Sequence, residues 1–136
     1  MAKIERFEEI EAWKKGSELR RAIYHCSRTG PFGKDFALRD QIRRSAISIT
    51  SNIAEGFERG GNKEFIQFLA ISKGSCGELR DQLYVAFDEQ YISTEEFKSL
   101  CAQALEISRM ISGLMSYLKQ CEMRGPKFKP NKSDQL

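Results

Sequence analysis

The sequence predicts an all-α protein, an antiparallel up-down-up-down four-helix bundle in residues 1–123, followed by a flexible basic tail in residues 124–136. Apolar residues recur at steps of three and four through four separate segments, which is the period of one helix face. Glycine, proline and capping residues separate these segments by short loops, and short loops favour antiparallel neighbours. No segment shows the alternation typical of a strand. A chain of 136 residues is long enough to bury such a core as one domain.

The first two predicted helices are separated by a break rich in glycine and proline. The first covers about residues 7–28 and ends at the Gly30–Gly33 segment, because proline and paired glycines do not continue a helix at low cost. The second covers about residues 35–55, and Asp35 is its predicted N-cap. Gly56 is predicted to end this helix in the left-handed conformation that commonly follows a last turn.

The third predicted helix follows Asn62, its predicted N-cap, and ends near Gln90. Its interior contains Gly74, Ser75 and Gly77, although each glycine costs a helix about 1 kcal/mol relative to alanine. Small residues allow another helix to approach closely, either within the bundle or from a second subunit. The alternative interpretation is a kink in this helix.

The fourth predicted helix begins at Ser93–Glu96, a capping-box pattern in which the serine hydroxyl and the glutamate carboxylate each accept a hydrogen bond from the other residue's backbone amide. From Phe97 to Cys121 its apolar residues keep alternating steps of three and four. This heptad seam favours packing at about 20° to the neighbouring helices.

A stripe of small polar residues runs along the second predicted helix beside its apolar stripe. Serine and asparagine are mediocre helix formers, so a whole line of them indicates a role beyond local propensity. The stripe suits a helix that meets another chain closely, or one that presents hydrogen-bond donors to a ligand; a solvated face is the alternative. The residues predicted to form a subunit interface or structural motif are Ser45, Ser48, Asn52, Glu55, Gly56, Gly74 and Ser75.

Glu55 lies in the last turn of the second predicted helix, where a negative charge opposes the helix dipole. A cationic partner should offset this cost. The candidates are Arg59, Lys63, Arg44 or a basic residue of an adjoining protomer. We hypothesise that Glu55 and Asn52 form a polar cluster that fixes the following loop.

The net charge of +3 lies entirely in the predicted tail, whose four basic residues stand against one acidic residue after Glu122. The rest of the chain is formally neutral, so a polyanion would have to bind a local patch or the tail. The residues predicted to form a nucleic-acid-binding patch are Arg39, Arg43, Arg44, Arg59 and Lys63.

The sequence offers no support for catalysis, a metal or a cofactor. A di-iron site in a four-helix bundle needs two Glu-x-x-His motifs, and His25 is the only histidine in the chain. A nucleophile would also need His25 as its base, but a histidine near a helix end suits the dipole there. We therefore expect no enzyme activity, no metal, no cofactor and no small-molecule substrate.

The four cysteines are widely spaced, without a Cys-x-x-Cys pair, and read as small buried hydrophobes of a reducing compartment. No apolar run approaches the roughly 18 residues that a membrane span requires. The start of the sequence lacks a signal-peptide core. We expect a cytoplasmic protein that does not bind membranes.

Residues 38–56 and 65–79 together resemble the small four-helix-bundle proteins encoded by intervening sequences in bacterial 23S ribosomal RNA genes. The Ser-Asn-Ile-Ala-Glu-Gly and Gly-Ser-x-x-Glu-Leu elements carry the resemblance, and residues 7–13 and 23–24 match the family's first helix. Lys73 departs from the family, which usually has a small residue there, and this puts the close packing of that turn in doubt.

The resemblance implies an all-helical bundle that assembles into a ring-like homopentamer. It also links the chain to the accessory variability protein of diversity-generating retroelements, a similar pentamer that binds nucleic acid through a basic surface. No biochemical activity is firmly established for the intervening-sequence family itself. The resemblance therefore says more about fold than about function.

Two functional interpretations follow. The first is a non-enzymatic homo-oligomer that binds RNA or DNA through a basic surface repeated around a ring, which would add weak contacts by multivalency. The alternative is a structural or protein-interaction scaffold without nucleic-acid binding, whose arginines pair with carboxylates across a subunit interface.

Overall fold

A computed structural model describes residues 3–124 and shows an all-α fold, as predicted, in which four helices are long and one is short. Residues 125–136, nearly all of the predicted basic tail, lie outside the described residues. A 3₁₀ turn at Phe7–Glu9 precedes the helices, which are α1 (Glu11–Cys26), α2 (Gly30–Lys34), α3 (Phe36–Glu58), α4 (Asn62–Asp88) and α5 (Thr94–Arg124).

The long helices pack in a cycle in which α1 contacts α3 and α5, α3 contacts α4, and α4 contacts α5. Helices α3 and α4 run antiparallel. Ser48, midway along α3, contacts Ser75, midway along α4, whereas Gly56 near the end of α3 faces Phe65 near the start of α4. The link between them is only a few residues long, as expected for antiparallel neighbours.

The core consists of the apolar stripes that the sequence predicts. Residues spaced three and four apart point to the same side of a helix, so each long helix contributes one continuous buried line. The fully buried side chains include Leu19 and Ile23 of α1, Ile42, Ile49 and Ile53 of α3, Leu69, Leu79 and Leu83 of α4, and Ile107, Ile111 and Leu118 of α5.

The first predicted helix is shorter than expected, because the chain is extended at Ile10 and α1 begins only at Glu11. It ends at Cys26, two residues before the predicted end, and the Gly30–Gly33 segment is part of a short helix rather than a loop. Pro31 lies in the first turn of α2, where its missing N–H is not needed. Phe32 is buried and stacks on Tyr91 with 5.3 Å between the ring centroids, and this tertiary contact stabilises a turn that local propensity does not favour.

The predicted role of Gly56 is wrong. Helix α3 continues to Glu58, and Gly56 is a buried residue inside the helix. The left-handed conformation occurs instead at Gly60, which has a φ of +84°. A Cβ atom on Gly56 would lie 2.7 Å from the Cβ of Phe68, so the absence of a side chain there allows α3 and α4 to approach.

Two of the three predicted helix caps are confirmed. The side chain of Asp35 accepts a hydrogen bond from the backbone amide three residues later at 3.1 Å. In the capping box, Ser93 N donates to Glu96 Oε1 at 2.9 Å and Glu96 N donates to Ser93 Oγ at 3.0 Å. The prediction for Asn62 is wrong, since Gly61 is the N-cap and Asn62 is a buried residue of the first turn of α4.

Candidate nucleic-acid interface

The five basic residues predicted to form a patch are spread along α3 rather than grouped. Arg39 lies in the first turns of α3, Arg59 caps its other end, and Lys63 begins α4 beyond the link. A helix rises about 1.5 Å per residue, which places Arg39 and Arg59 about 30 Å apart. One local patch therefore cannot contain both ends of this set.

Two of these arginines are already paired with carboxylates. Arg39 Nε donates to Asp40 Oδ1 at 3.0 Å, and its Nη1 donates to the carbonyl oxygen of Gly33 at 3.1 Å. Arg59 Nη2 donates to Glu55 Oε2 at 2.7 Å. Each acid cancels much of the long-range field of its arginine, so these two residues offer little net charge to an anion.

Arg43 holds the end of α1 against α3. Its Nε donates to Ser27 Oγ at 2.9 Å and its Nη2 donates to Ser27 O at 3.2 Å, while the guanidinium lies 4.5 Å from the ring centroid of Tyr24. A cation at the last carbonyls of a helix satisfies them and favours the negative end of the dipole. Arg43 therefore has a structural role that the sequence does not indicate.

Arg44 and Lys63 are the two members of the predicted patch that remain available to bind an anion. Both side chains are exposed, and neither forms an ion pair within residues 3–124. They lie about 19 residues apart along the chain, on different helices.

A basic cluster that the sequence analysis missed lies on α1. Five residues line a cavity of about 540 Å³ that we call the α1 arginine pocket. Their spacing of one, three and one residues places the four that belong to α1 on one side of the helix, and the fifth follows two residues after the helix ends. This periodicity of cationic and aromatic residues could have been found in the sequence. The lining residues are Arg20, Arg21, Tyr24, His25 and Arg28.

The arginines of this pocket make hydrogen bonds to neutral groups. Arg20 Nη1 donates to Thr50 Oγ1 at 2.7 Å and its Nη2 donates to Ser17 Oγ at 3.1 Å. Arg21 Nη1 donates to the same Ser17 hydroxyl at 3.0 Å. In the described part of the chain, the ion pairs include none of Arg20, Arg21 and Arg28. The pocket therefore concentrates positive charge that no carboxylate meets at ion-pair distance, although Glu95 and Glu96 line the neighbouring depression that shares His25.

The predicted polar stripe of the second helix lies along the groove between α3 and α4. Ser75 Oγ donates to Ser48 Oγ at 2.7 Å, and Asn52 Nδ2 donates to Ser48 O at 2.8 Å and to Ser48 Oγ at 2.9 Å. Ser45 is buried beside them. These hydroxyls thus join two helices of the same chain, and the subunit contact remains a prediction.

This groove forms a second concave surface, which we call the α3–α4 groove. It encloses about 370 Å³ and carries one cation and one anion among neutral polar residues. Its lining residues are Gln41, Arg44, Ser45, Ser48, Glu78 and Gln82.

The hypothesis of a polar cluster between Glu55 and Asn52 is wrong. The amide of Asn52 bonds to Ser48, whereas Glu55 pairs with Arg59, which was one of its four candidate partners. The carboxylate at the end of α3 is thus offset by a cation one turn later.

Gly74 and Gly77 do not bring helices of this chain together. Both are exposed, and a Cβ atom added to either would meet no other group within 4 Å. Close packing within the bundle occurs at Gly56 instead. Lys73 is also exposed, so this departure from the family does not disturb packing within the chain. Whether Gly74 contacts another subunit remains a prediction.

The cysteines are free thiols in or beside the core, as predicted. Cys76 and Cys121 are buried, and Cys26 and Cys101 are half-buried. Burial raises the pKa of the Cys76 thiol to about 12 and that of the Cys26 thiol to about 11. A thiol that stays protonated at neutral pH is a poor nucleophile and a poor metal ligand.

Within residues 3–124, no three histidine, cysteine, aspartate or glutamate side chains are grouped in a way that could hold a metal ion. None of the helices in the same range combines the length and the apolar character that a membrane crossing requires.

The helices and their packing define this chain as a small all-α protein of the bundle type. A family model described as "23S rRNA-intervening sequence protein" matches residues 8–113, and the chain belongs to that family. The resemblance carried by residues 38–56 and 65–79 is thereby confirmed.

The fold is also similar to a solved structure. It is that of a protein with unknown function from the S23 ribosomal protein family of Bacteroides thetaiotaomicron VPI-5482, with a TM-score of 0.71 and 24% sequence identity. The match covers 77% of this chain and 95% of that one. At this identity the likeness supports the fold alone. No curated protein sequence matches the chain.

Proposed function

We propose that this chain is a non-enzymatic homo-oligomer that binds RNA or DNA through the α1 arginine pocket, repeated once per subunit. The proposal includes the up-down-up-down order of the four long helices and a pentameric ring as the expected assembly. The observation that carries it is the concentration of three arginines on α1 and just after it, two of which, Arg20 and Arg21, donate hydrogen bonds to neutral hydroxyls rather than to carboxylates.

A guanidinium group suits phosphate because its planar set of donors can form two parallel hydrogen bonds to the phosphate oxygens. The chain before the tail carries no net charge, so a polyanion must find a local surface. One pocket supplies only a few phosphate contacts. Repetition around an oligomer raises the affinity for a long strand without any new contact, provided that the strand reaches several subunits.

Chemistry at this surface has little support. His25 is exposed, and the raised pKa of the neighbouring Cys26 thiol keeps it protonated, so the pair lacks an activated nucleophile. The proposal accordingly contains binding and no covalent step.

The test compares two double variants with equal loss of charge. Arg21→Gln with Arg28→Gln removes two exposed cations of the α1 arginine pocket, while Lys63→Gln with Lys119→Gln removes two exposed cations that lie outside both the pocket and the α3–α4 groove. Affinity for a labelled RNA is measured by fluorescence anisotropy at about 50 mM and about 200 mM salt. We expect the pocket variant to lose about tenfold in affinity and the control less than about threefold.

Equal losses in both variants would mean that binding follows overall charge, and the pocket would not be the site. An unshifted anisotropy for the wild-type protein at low salt would contradict nucleic-acid binding as a whole. The scaffold alternative would then be favoured, and the exposed apolar side chains of Ile71, Tyr84 and Val85 on α4 are the observation that supports it.

A further inference from the structure

The α1 arginine pocket is concave, and this shape restricts what it can bind. Its volume of about 540 Å³ falls in the range of small-molecule sites, roughly 300–1,000 Å³. The pocket is an open depression, and all of its lining residues lie in the segment 20–28. An unpaired base can reach the ring of Tyr24 in such a depression, whereas the bases of a perfect duplex stay stacked inside the duplex.

Tyr24 gives this pocket an aromatic surface that is held in place. The guanidinium of Arg43 covers one face of the ring at 4.5 Å from its centroid, and the side chain remains half-exposed. Arg43 is itself fixed by three hydrogen bonds to the end of α1. A fixed ring loses little side-chain entropy when a base stacks on it, and stacking on aromatic residues tolerates any base.

The cations around Tyr24 are also positioned before a ligand arrives. Arg20 is held by hydroxyls on two helices, Thr50 of α3 and Ser17 of α1. Arg21 shares the Ser17 hydroxyl. An arginine bound to neutral groups keeps its full charge, and its remaining N–H donors can still bind phosphate oxygens.

We infer that the α1 arginine pocket receives one unpaired nucleotide of a single-stranded or bulged nucleic acid. Arg20, Arg21 and Arg28 bind its phosphate, and the base packs against Tyr24. This inference rests on the proposed function and adds the class of strand that the site selects. A perfectly paired duplex keeps its bases stacked inside and can offer only its backbone, so it should bind more weakly.

The experiment uses three labelled RNAs with the same core sequence: a single strand, a perfect duplex, and that duplex with one bulged nucleotide. Anisotropy titrations at constant salt give the affinity of the full chain for each. We expect the single strand and the bulged duplex to bind about tenfold more tightly than the perfect duplex, because stacking of one base is gained.

Tyr24→Leu should reduce this preference to less than about threefold. Tyr84→Leu is the matched control, since Tyr84 is an exposed tyrosine on α4 and should leave the preference unchanged. Thermal unfolding of both variants establishes that they fold. If Tyr24→Leu does not fold, the wild-type protein is titrated instead with a bulged duplex whose bulged nucleotide lacks its base, and this RNA should bind about as weakly as the perfect duplex.

Several results would overturn the inference. Equal affinity of the wild-type protein for all three RNAs would exclude selection of an unpaired nucleotide, while binding itself would still support the proposed function. Displacement of the single strand by micromolar adenosine monophosphate would instead indicate a site for free nucleotides. If none of the RNAs binds, both the inference and the proposed function fail.

Discussion

A single hydrogen atom in place of a side chain at Gly56 determines how closely α3 and α4 approach. An added Cβ would lie 2.7 Å from Phe68 Cβ and 3.0 Å from Phe65 Cδ1. The first of these neighbours is the stem of its side chain and cannot move unless the helix moves. Gly16 has a similar role between α1 and α3, where an added Cβ would lie 2.9 Å from Thr50 Cγ2.

Gly56→Ala should therefore destabilise the protein although alanine is the better helix former. Alanine gains about 1 kcal/mol in propensity, but overpacking a closed contact typically costs about 1–3 kcal/mol and can exceed this gain. We expect a lower free energy of unfolding in urea denaturation. Gly113→Ala on α5 is the control, because its Cβ would meet nothing within 4 Å, and it should stabilise the protein by about 0.5–1 kcal/mol. A stabilised Gly56→Ala would contradict the close contact.

The availability of an arginine to a ligand depends on its partner rather than on its position in the sequence. Arg59 faces a carboxylate at 2.7 Å, whereas Arg20 faces hydroxyls at 2.7 and 3.1 Å. Their charges are the same, yet only the second can be balanced by an incoming phosphate. Because of this difference, the contacts favour an anion-binding surface on α1, whereas the sequence analysis predicted one on α3.

At the scale of whole elements, Arg43 ties the end of α1 to α3. It donates to the Ser27 hydroxyl and carbonyl and stacks on Tyr24. Arg43→Leu should therefore lower the free energy of unfolding by about 1–3 kcal/mol and speed hydrogen exchange in the last turn of α1. Arg44→Leu is the neighbouring control, because Arg44 is exposed and forms no ion pair in the described range, and it should change stability by less than about 0.5 kcal/mol.

A double substitution of Arg43 and Arg44, the natural choice from the sequence, would loosen α1 while removing charge. A loss of binding could then reflect either effect. Equal stabilities of Arg43→Leu and Arg44→Leu would show that the tie to Ser27 contributes nothing.

The elements that the sequence predicts well are those governed by local rules. The apolar periods of α3, α4 and α5 and the caps at Asp35 and Ser93 depend on residues within a few positions of each other. Helix α2 depends instead on the burial of Phe32 against Tyr91, almost 60 residues away. The role of Gly56 likewise depends on a residue of another helix, and a glycine near a helix end has the same local pattern whether it terminates the helix or packs inside it.

The candidate site likewise has one feature that can be predicted from the sequence and one that cannot. Arg20, Tyr24 and Arg28 are spaced four residues apart, and this period is visible in the sequence, although α1 ends at Cys26 and Arg28 lies just beyond it. The neutral character of the arginines' partners is not visible there. It depends on Thr50 of α3 reaching Arg20, a contact between residues 30 positions apart.

At the scale of the whole molecule, the α3–α4 groove is the surface that we expect to contact a second subunit in the proposed oligomer. Its lining residues are all polar, two of them serines, and the preceding turns of α4 add Gly74 and the exposed Ile71, which is 52% accessible. Gly74 precedes Glu78 by one helical turn, and Ile71 precedes it by two turns. Both therefore lie on the same side of α4 as Glu78, which lines the groove. An exposed glycine with no neighbour in its own chain is costly to a helix, and close approach of another chain would explain its presence.

Gly74→Gln separates assembly from folding. Within one chain the new side chain meets no group close to its Cβ, and removal of a glycine should stabilise the helix by roughly 0.5–1 kcal/mol. At a subunit contact the same side chain would keep the backbones apart. We expect a folded variant with a lower native mass than the wild type, measured by light scattering after gel filtration. Gly113→Gln, an equally open glycine on α5, should keep the wild-type mass.

The same variant connects assembly to binding, because repetition of the α1 arginine pocket is lost with the oligomer. Affinity for a long RNA that spans several subunits should fall by about 10²-fold in Gly74→Gln, while affinity for a short RNA that fills one pocket should stay within about twofold. A wild-type protein with the mass of a monomer would contradict the oligomer. An unchanged mass in Gly74→Gln would place the subunit contact elsewhere, and equal losses for short and long RNA would show that multivalency does not contribute.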